Sequence, residues 1–195
     1  MQEKLTPEEK TILLRLAREA MERGVRGEEL LPLYLSTLPP QLSAQCSSFV
    51  TLTVRGQLRG CIGSLDACQS LAEDVREHAV AAALRDPRFP AVQEDELSGI
   101  QIEISRLTCP VPLEYRDPED LLLRLRPHVD GVILRVDLHR RGTFLPQVWS
   151  KIPDPADFLN NLCYKIGLEP DAWRRNHFYV LIYQAEEFHE GGIPE

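Results

Sequence analysis

The sequence predicts an α+β fold: a mainly antiparallel sheet with surrounding helices. Three observations carry this expectation. Phe49–Val54 is rich in β-branched residues, and a second strand-like stretch, Leu58–Ile62, follows after only a Gly56-Gln57 pair, so the first two strands form a hairpin and not a parallel crossover. Ile100, Ile102 and Ile104 alternate with Gln101, Glu103 and Ser105, the period of a half-buried strand. Helical patterns are interleaved with these strands and supply the covering layer. The length of 195 residues suits one domain, or one domain with a small additional lobe.

The elements follow in order. Thr6-Pro7-Glu8-Glu9 is a helix start: Thr6 caps, Pro7 takes the first helical position and Glu9 closes a capping box. Ile12, Leu13, Leu16, Ala17 and Ala20 then recur at helical spacing until Gly24. A second short helix is expected over Glu28–Leu35, stopped by Pro39-Pro40. The hairpin is expected to turn on Gly56-Gln57 as a type II′ turn. Gln69–Leu84 reads as a helix with Leu71, Val75, Ala79, Ala82 and Ala83 on one side, and Asp86-Pro87 stops it. Asp117–Leu125 suits a short helix, and Gly131–Leu138 a strand with Val132, Leu134 and Val136 on one face. Pro155–Ile166 suits a helix ended by Gly167, and Phe178–Tyr183 a last apolar strand.

Composition narrows the function classes. Lys and Arg number 22 against 30 Asp and Glu, a net charge of −8, and the basic residues gather only in pairs such as Arg140-Arg141 and Arg174-Arg175. A phosphate-driven nucleic-acid partner is therefore disfavoured. The N-terminus, MQEKLTPEEK, lacks the apolar core of a secretory signal, and no apolar run approaches membrane-spanning length, so a cytoplasmic protein is expected. Five cysteines occur without a CxxC pair, and the five histidines lack ligand spacing, so a structural zinc or thioredoxin-like site fails on spacing and no metal site is expected.

Chemistry concentrates in Leu58-Arg59-Gly60-Cys61-Ile62-Gly63. Glycines weaken a strand unless the backbone bends or something approaches it closely. A turn centred on Gly56-Gln57 sets Val54 opposite Arg59 and Leu52 opposite Cys61, placing Arg59 and Cys61 on one face. A guanidinium there stabilises a thiolate, and Gly60 and Gly63 leave room for a ligand or expose N–H donors. The same register sets Cys61 among Val50, Leu52 and Val54, where it is a small buried hydrophobe. Both readings stand at this level.

The motif LRGCIG resembles the signature of the AMMECR family, called AmmeMemoRadiSam system protein A in bacteria. Phe49-Val50-Thr51-Leu52, Asp86-Pro87-Arg88-Phe89-Pro90, Glu96-Leu97, Glu103-Ile104-Ser105, Leu145-Pro146-Gln147-Val148 and Phe158-Leu159 with Cys163 and Lys165-x-Gly167-Leu168 are similar to the family's other blocks, in order along nearly the whole chain. The resemblance implies two unequal lobes with LRGCIG near the groove between them. It implies possible partners, a Memo-like protein and a radical SAM protein, and brings no established reaction or cofactor. Relatives often carry His-Gly where this chain has Asp130-Gly131, with His128 two residues earlier.

The candidate catalytic residues are thus Cys61, as nucleophile or substrate-contacting thiol, and Arg59. The candidate ligand-binding residues are Gly60, Gly63, Arg88, Glu103 and Gln147, for a small-molecule ligand. Arg88 suits a carboxylate or phosphate, or else pairs with Asp86. Glu103 faces away from the isoleucines, toward solvent or Arg59. Gln147, in a rigid turn, suits hydrogen bonding to a ligand or to backbone. The alternative is a non-catalytic binding or scaffold module working with the two partners.

Overall fold

The structure, a computed structural model, describes residues 3–137 and 140–191. The chain divides into two compact units, Met1–Leu107 with Glu186–Glu195, and Thr108–Ala185. Each contains a four-stranded antiparallel sheet, so the α+β class holds.

In the first unit, helix α1 (Pro7–Val25) begins with the expected capping box between Thr6 and Glu9. A one-turn helix α2 (Pro40–Ser43) leads into strands β1 (Ser47–Val54) and β2 (Gln57–Gly63). Helix α3 (Leu71–Leu84) follows, capped by Ser70 with Glu73, and then strand β3 (Ile100–Leu107). In the sheet, β2 is one edge, β1 and β3 are central, and a strand from the chain's end is the other edge. Helices α1 and α3 pack on one face: Leu13, Ala17, Met21, Leu71, Val75 and Ala79 meet Val50, Leu52, Ile102 and Ile104 in a single core. The opposite face carries Phe49, Thr51 and Thr53, which stay half-buried.

The second unit contains strand β4 (Val111–Pro112), helix α4 (Pro118–Arg124) capped by Asp117, and strands β5 (Gly131–Arg135) and β6 (Arg141–Phe144). Helices α5 (Pro155–Lys165) and α6 (Ala172–Arg175) precede strand β7 (Tyr179–Tyr183). The strand order is β4-β7-β5-β6. Trp149 and Trp173 are both buried, and Trp149 stacks on Phe158 with ring centres 3.7 Å apart. Strand β8 (Ala185–His189) returns to the first sheet beside β3.

Four expectations are corrected. Glu28–Leu35 is not helical, and only a 3₁₀ turn, Leu35–Thr37, forms there. Pro32 removes a donor and drives Leu31 out of the helical region. The hairpin turns on Arg55-Gly56 and not on Gly56-Gln57, with φ of 52° and 76°. Two positive φ angles mark a type I′ turn. The strand expected to reach Leu138 ends at Arg135. Leu138 itself, with His139, lies outside the described residues. Strand β8 had no counterpart in the sequence reading, because Phe188 is the one buried residue among five mostly polar ones at a sheet edge.

Candidate functional site around Cys61

The moved turn changes the strand register. Thr53 pairs with Leu58 and Leu52 with Gly60, so Arg59 is the extra residue of a β-bulge. Cys61 therefore faces Thr51 and not Leu52, and Thr51 in turn faces Glu103 on β3. Cys61, Thr51 and Glu103 form one row across three strands, on the face opposite the helices. Cys61 is half-buried, and the Thr51 hydroxyl donates to its Sγ at 3.3 Å. The expected apolar neighbours of this thiol, Val50 and Leu52, are in the core on the other side.

Arg59 and Cys61 were expected to share a face, and this is corrected by the bulge. Arg59 Nε and Nη2 donate to both Glu96 carboxylate oxygens at 2.7 and 2.9 Å, and Nη1 donates to the Pro90 carbonyl at 2.8 Å. The Glu96 hydrogen bond raises the Arg59 pKa and, reciprocally, lowers that of Glu96. Arg59 thus ties β2 to the Glu94–Gly99 turn, and it does not meet Glu103.

The guanidinium at Cys61 belongs to Arg88. Its partner Asp86 is the hub, a carboxylate whose side chain is only 2 % exposed. Asp86 accepts the Cys61 N–H at 2.8 Å, the Arg88 N–H at 3.1 Å, and Arg88 Nε and Nη2 at 2.9 and 2.6 Å. Arg88 Nη2 also donates to the Cys61 carbonyl at 3.3 Å. The hydrogen bond from Arg88 holds the Asp86 pKa well below the usual carboxylate range, helped by the two backbone N–H donors. The Arg88 pKa is raised, first by Asp86 and to a smaller degree by the Cys61 side chain. Because β2 is an edge strand, Asp86 and Arg88 satisfy at Cys61 the backbone groups that a further strand would otherwise pair.

Protein atoms occupy the space beside both glycines. A Cβ on Gly60 would stand 2.1 Å from the Ala82 carbonyl oxygen, so β2 runs directly against the backbone of α3. A Cβ on Gly63 would stand 2.3 Å from the Phe49 ring.

The other candidates are placed apart. Gln147 belongs to the second unit, half-buried in the 3₁₀ turn Pro146–Ser150. Asp130 is fully buried and bound to Arg126 through Nη2 at 2.6 Å, a structural ion pair. Cys46 and Cys163 are buried, whereas Cys68 and Cys109 are exposed. A cleft of about 590 Å³ is lined by Arg55, Arg59, Asp95 and Glu96, but not by Cys61. Among the described residues no cluster of three or more His, Cys, Asp or Glu is arranged to hold a metal ion, and no helix is long and apolar enough to cross a membrane.

Three contributors escaped the sequence reading. Thr51 was hidden by the register. Glu96 was visible only as a family block. Glu187 on β8 has its pKa pushed up to about 7, first by desolvation and then by the charge of Glu103. No local pattern signalled that pair, because it depends on which strand lies beside β3.

A family model described as AMMECR1 matches residues 14–188. The chain belongs to the AMMECR1 family. A protein of Methanothermobacter thermautotrophicus is 40 % identical, covering 96 % of this chain and 97 % of its own length. A protein of Methanocaldococcus jannaschii is 33 % identical over 95 % of this chain and 92 % of its own. The crystal structure of an uncharacterised protein from Pyrococcus horikoshii superposes with a TM-score of 0.87 at 34 % identity, covering 96 % of this chain and 94 % of that one. Membership in the AMMECR1 family agrees with the resemblance carried by LRGCIG and its companion blocks.

Proposed function

We propose that this AMMECR1-family protein is an enzyme or enzyme-like ligand binder whose working group is the Cys61 thiol. The observation that supports this is the setting of Cys61: half-buried on the sheet face opposite the helices, beside the Thr51 hydroxyl and the Arg88 guanidinium. A cysteine used only for packing is more often sealed among apolar side chains, as Cys163 is in the second unit. Arg88 takes the role assigned to Arg59 in the sequence reading. Gly60 and Gly63 allow β2 its close packing, which sets the height of the thiol above the sheet. A working thiol must stay reduced, which suits a cytoplasmic setting.

Iodoacetamide labelling at pH 7, read by peptide mass spectrometry, tests the proposal. Cys68 and Cys109 are more exposed than Cys61, so access alone makes them faster. Labelling of Cys61 ahead of both supports a functional thiol, because only its surroundings would reverse that order. Labelling of Cys61 behind both removes the proposal. The reading that remains is a docking module for a Memo-like protein and a radical SAM protein, and direct binding of those purified partners to the Cys61→Ala variant would support it.

A further inference from the structure

We infer that the ligand of this site carries a compact oxyanion, a carboxylate or a phosphate, received by the Nη1 N–H groups of Arg88 beside Cys61, with Asp86 as the positioning residue. The inference rests on the thiol-site reading above and names its ligand class.

A guanidinium offers more than one edge to planar oxyanions. Asp86 occupies the edge formed by Nε and Nη2. Among the described residues Nη1 donates to no protein oxygen. The burial of the pair is lopsided, since the Asp86 side chain is 2 % exposed and that of Arg88 is 55 % exposed. Water keeps the outer part of the guanidinium solvated, which leaves Nη1 within reach of a dissolved anion. Here the acid is the fixed mount and the base projects from it.

The same mount holds the thiol. Asp86 accepts the Cys61 N–H and Arg88 Nη2 donates to the Cys61 carbonyl, so the Cys61 main chain and the guanidinium are fixed relative to each other. Phe89 flanks the guanidinium, with the Arg88 Cζ 5.5 Å from the ring centre, and limits its swing. An oxyanion held by Nη1 is thereby tethered to the same carboxylate that binds the Cys61 main chain. The net charge of −8 gives no long-range attraction for anions, so selectivity for them must arise from this local donor.

Paired alkylating reagents read the local charge. Iodoacetate and iodoacetamide both form an Sγ–carbon bond with loss of iodide, and they differ in carrying a carboxylate or a neutral amide. Their rate ratio at Cys61 cancels the intrinsic reactivity of the thiol. We expect this ratio to exceed that of Cys109 in the same protein. It should fall about fivefold in Arg88→Gln, the effect of one unit charge a few ångströms away in water, and recover in Arg88→Lys. Acetate or inorganic phosphate, at ionic strength matched with chloride, should slow iodoacetate labelling of the wild-type protein, and the more effective of the two identifies the oxyanion. A ratio unchanged by Arg88→Gln overturns the inference. So does labelling that neither anion slows, a readout that does not depend on any variant folding. Sluggish labelling of Cys61 by iodoacetamide removes the thiol-site reading instead, and leaves the ratio measurable.

Discussion

The Cys61 N–H donates to the Asp86 carboxylate across 25 residues of sequence at 2.8 Å. With the Arg88 bond to the Cys61 carbonyl and the Arg59 bond to the Pro90 carbonyl, it fixes the edge strand β2 to the turn that follows helix α3. Asp86→Ala removes it and leaves a part-buried N–H without its partner. A loss of about 2–3 kcal/mol is expected, measured by urea denaturation. The pH dependence has a definite sign. The Asp86 pKa is lowered in the folded protein, so its contribution is present above the unfolded carboxylate pKa and is lost as pH falls through the acid range toward the folded value. In Asp86→Asn the acid limb of the stability profile should be flatter than in the wild type.

Gly60 lies against the main chain of α3, and a Cβ there would meet the Ala82 carbonyl oxygen at 2.1 Å. Backbone gives way less readily than a side-chain tip. Gly60→Ala should therefore cost about 3 kcal/mol or prevent folding, as for an overpacked core. Gly27→Ala provides a contrast: no atom lies within 4 Å of its added Cβ, and only the φ of +70° opposes the change, at a cost of about 1 kcal/mol. Thermal denaturation of the two variants should show the larger fall in Tm for Gly60→Ala.

Glu187 and Glu103 act on each other across the edge of the first sheet, and the Glu187 pKa is raised to about 7. A raised acid stabilises the fold most below its unfolded pKa, and that contribution is lost as pH rises through about 7. The Glu187 side chain is still reached by water, so the effect stays below about 1 kcal/mol. Glu187→Gln should lose less Tm than the wild type between pH 5 and pH 8. Equal losses in the two proteins would show that the carboxylate pair does not influence stability.

Much of the architecture follows from local sequence. Thr6 with Glu9 and Ser70 with Glu73 are capping boxes whose partners lie three residues apart, so they are legible without tertiary context. The alternation of Ile100, Ile102 and Ile104 likewise identifies the buried face of β3. The composition of LRGCIG marks the segment proposed to carry the chemistry, a thiol flanked by glycines in a strand. The surroundings of that thiol were a different matter. Two local choices, the turn on Arg55-Gly56 and the bulge at Arg59, decided which residues face Cys61, and a shift of one residue in a strand exchanges its two faces. The energy that selects this register comes from distant contacts: Gly60 against Ala82, Arg59 with Glu96, and the Cys61 backbone with Asp86 and Arg88. The sequence by itself determined helices α1, α3 and α5, strands β1 to β3, the antiparallel class and the position of the thiol. Only the tertiary structure decided that Thr51 and Arg88, and not Leu52 and Arg59, are its neighbours, because register is set by packing between segments that no local pattern connects.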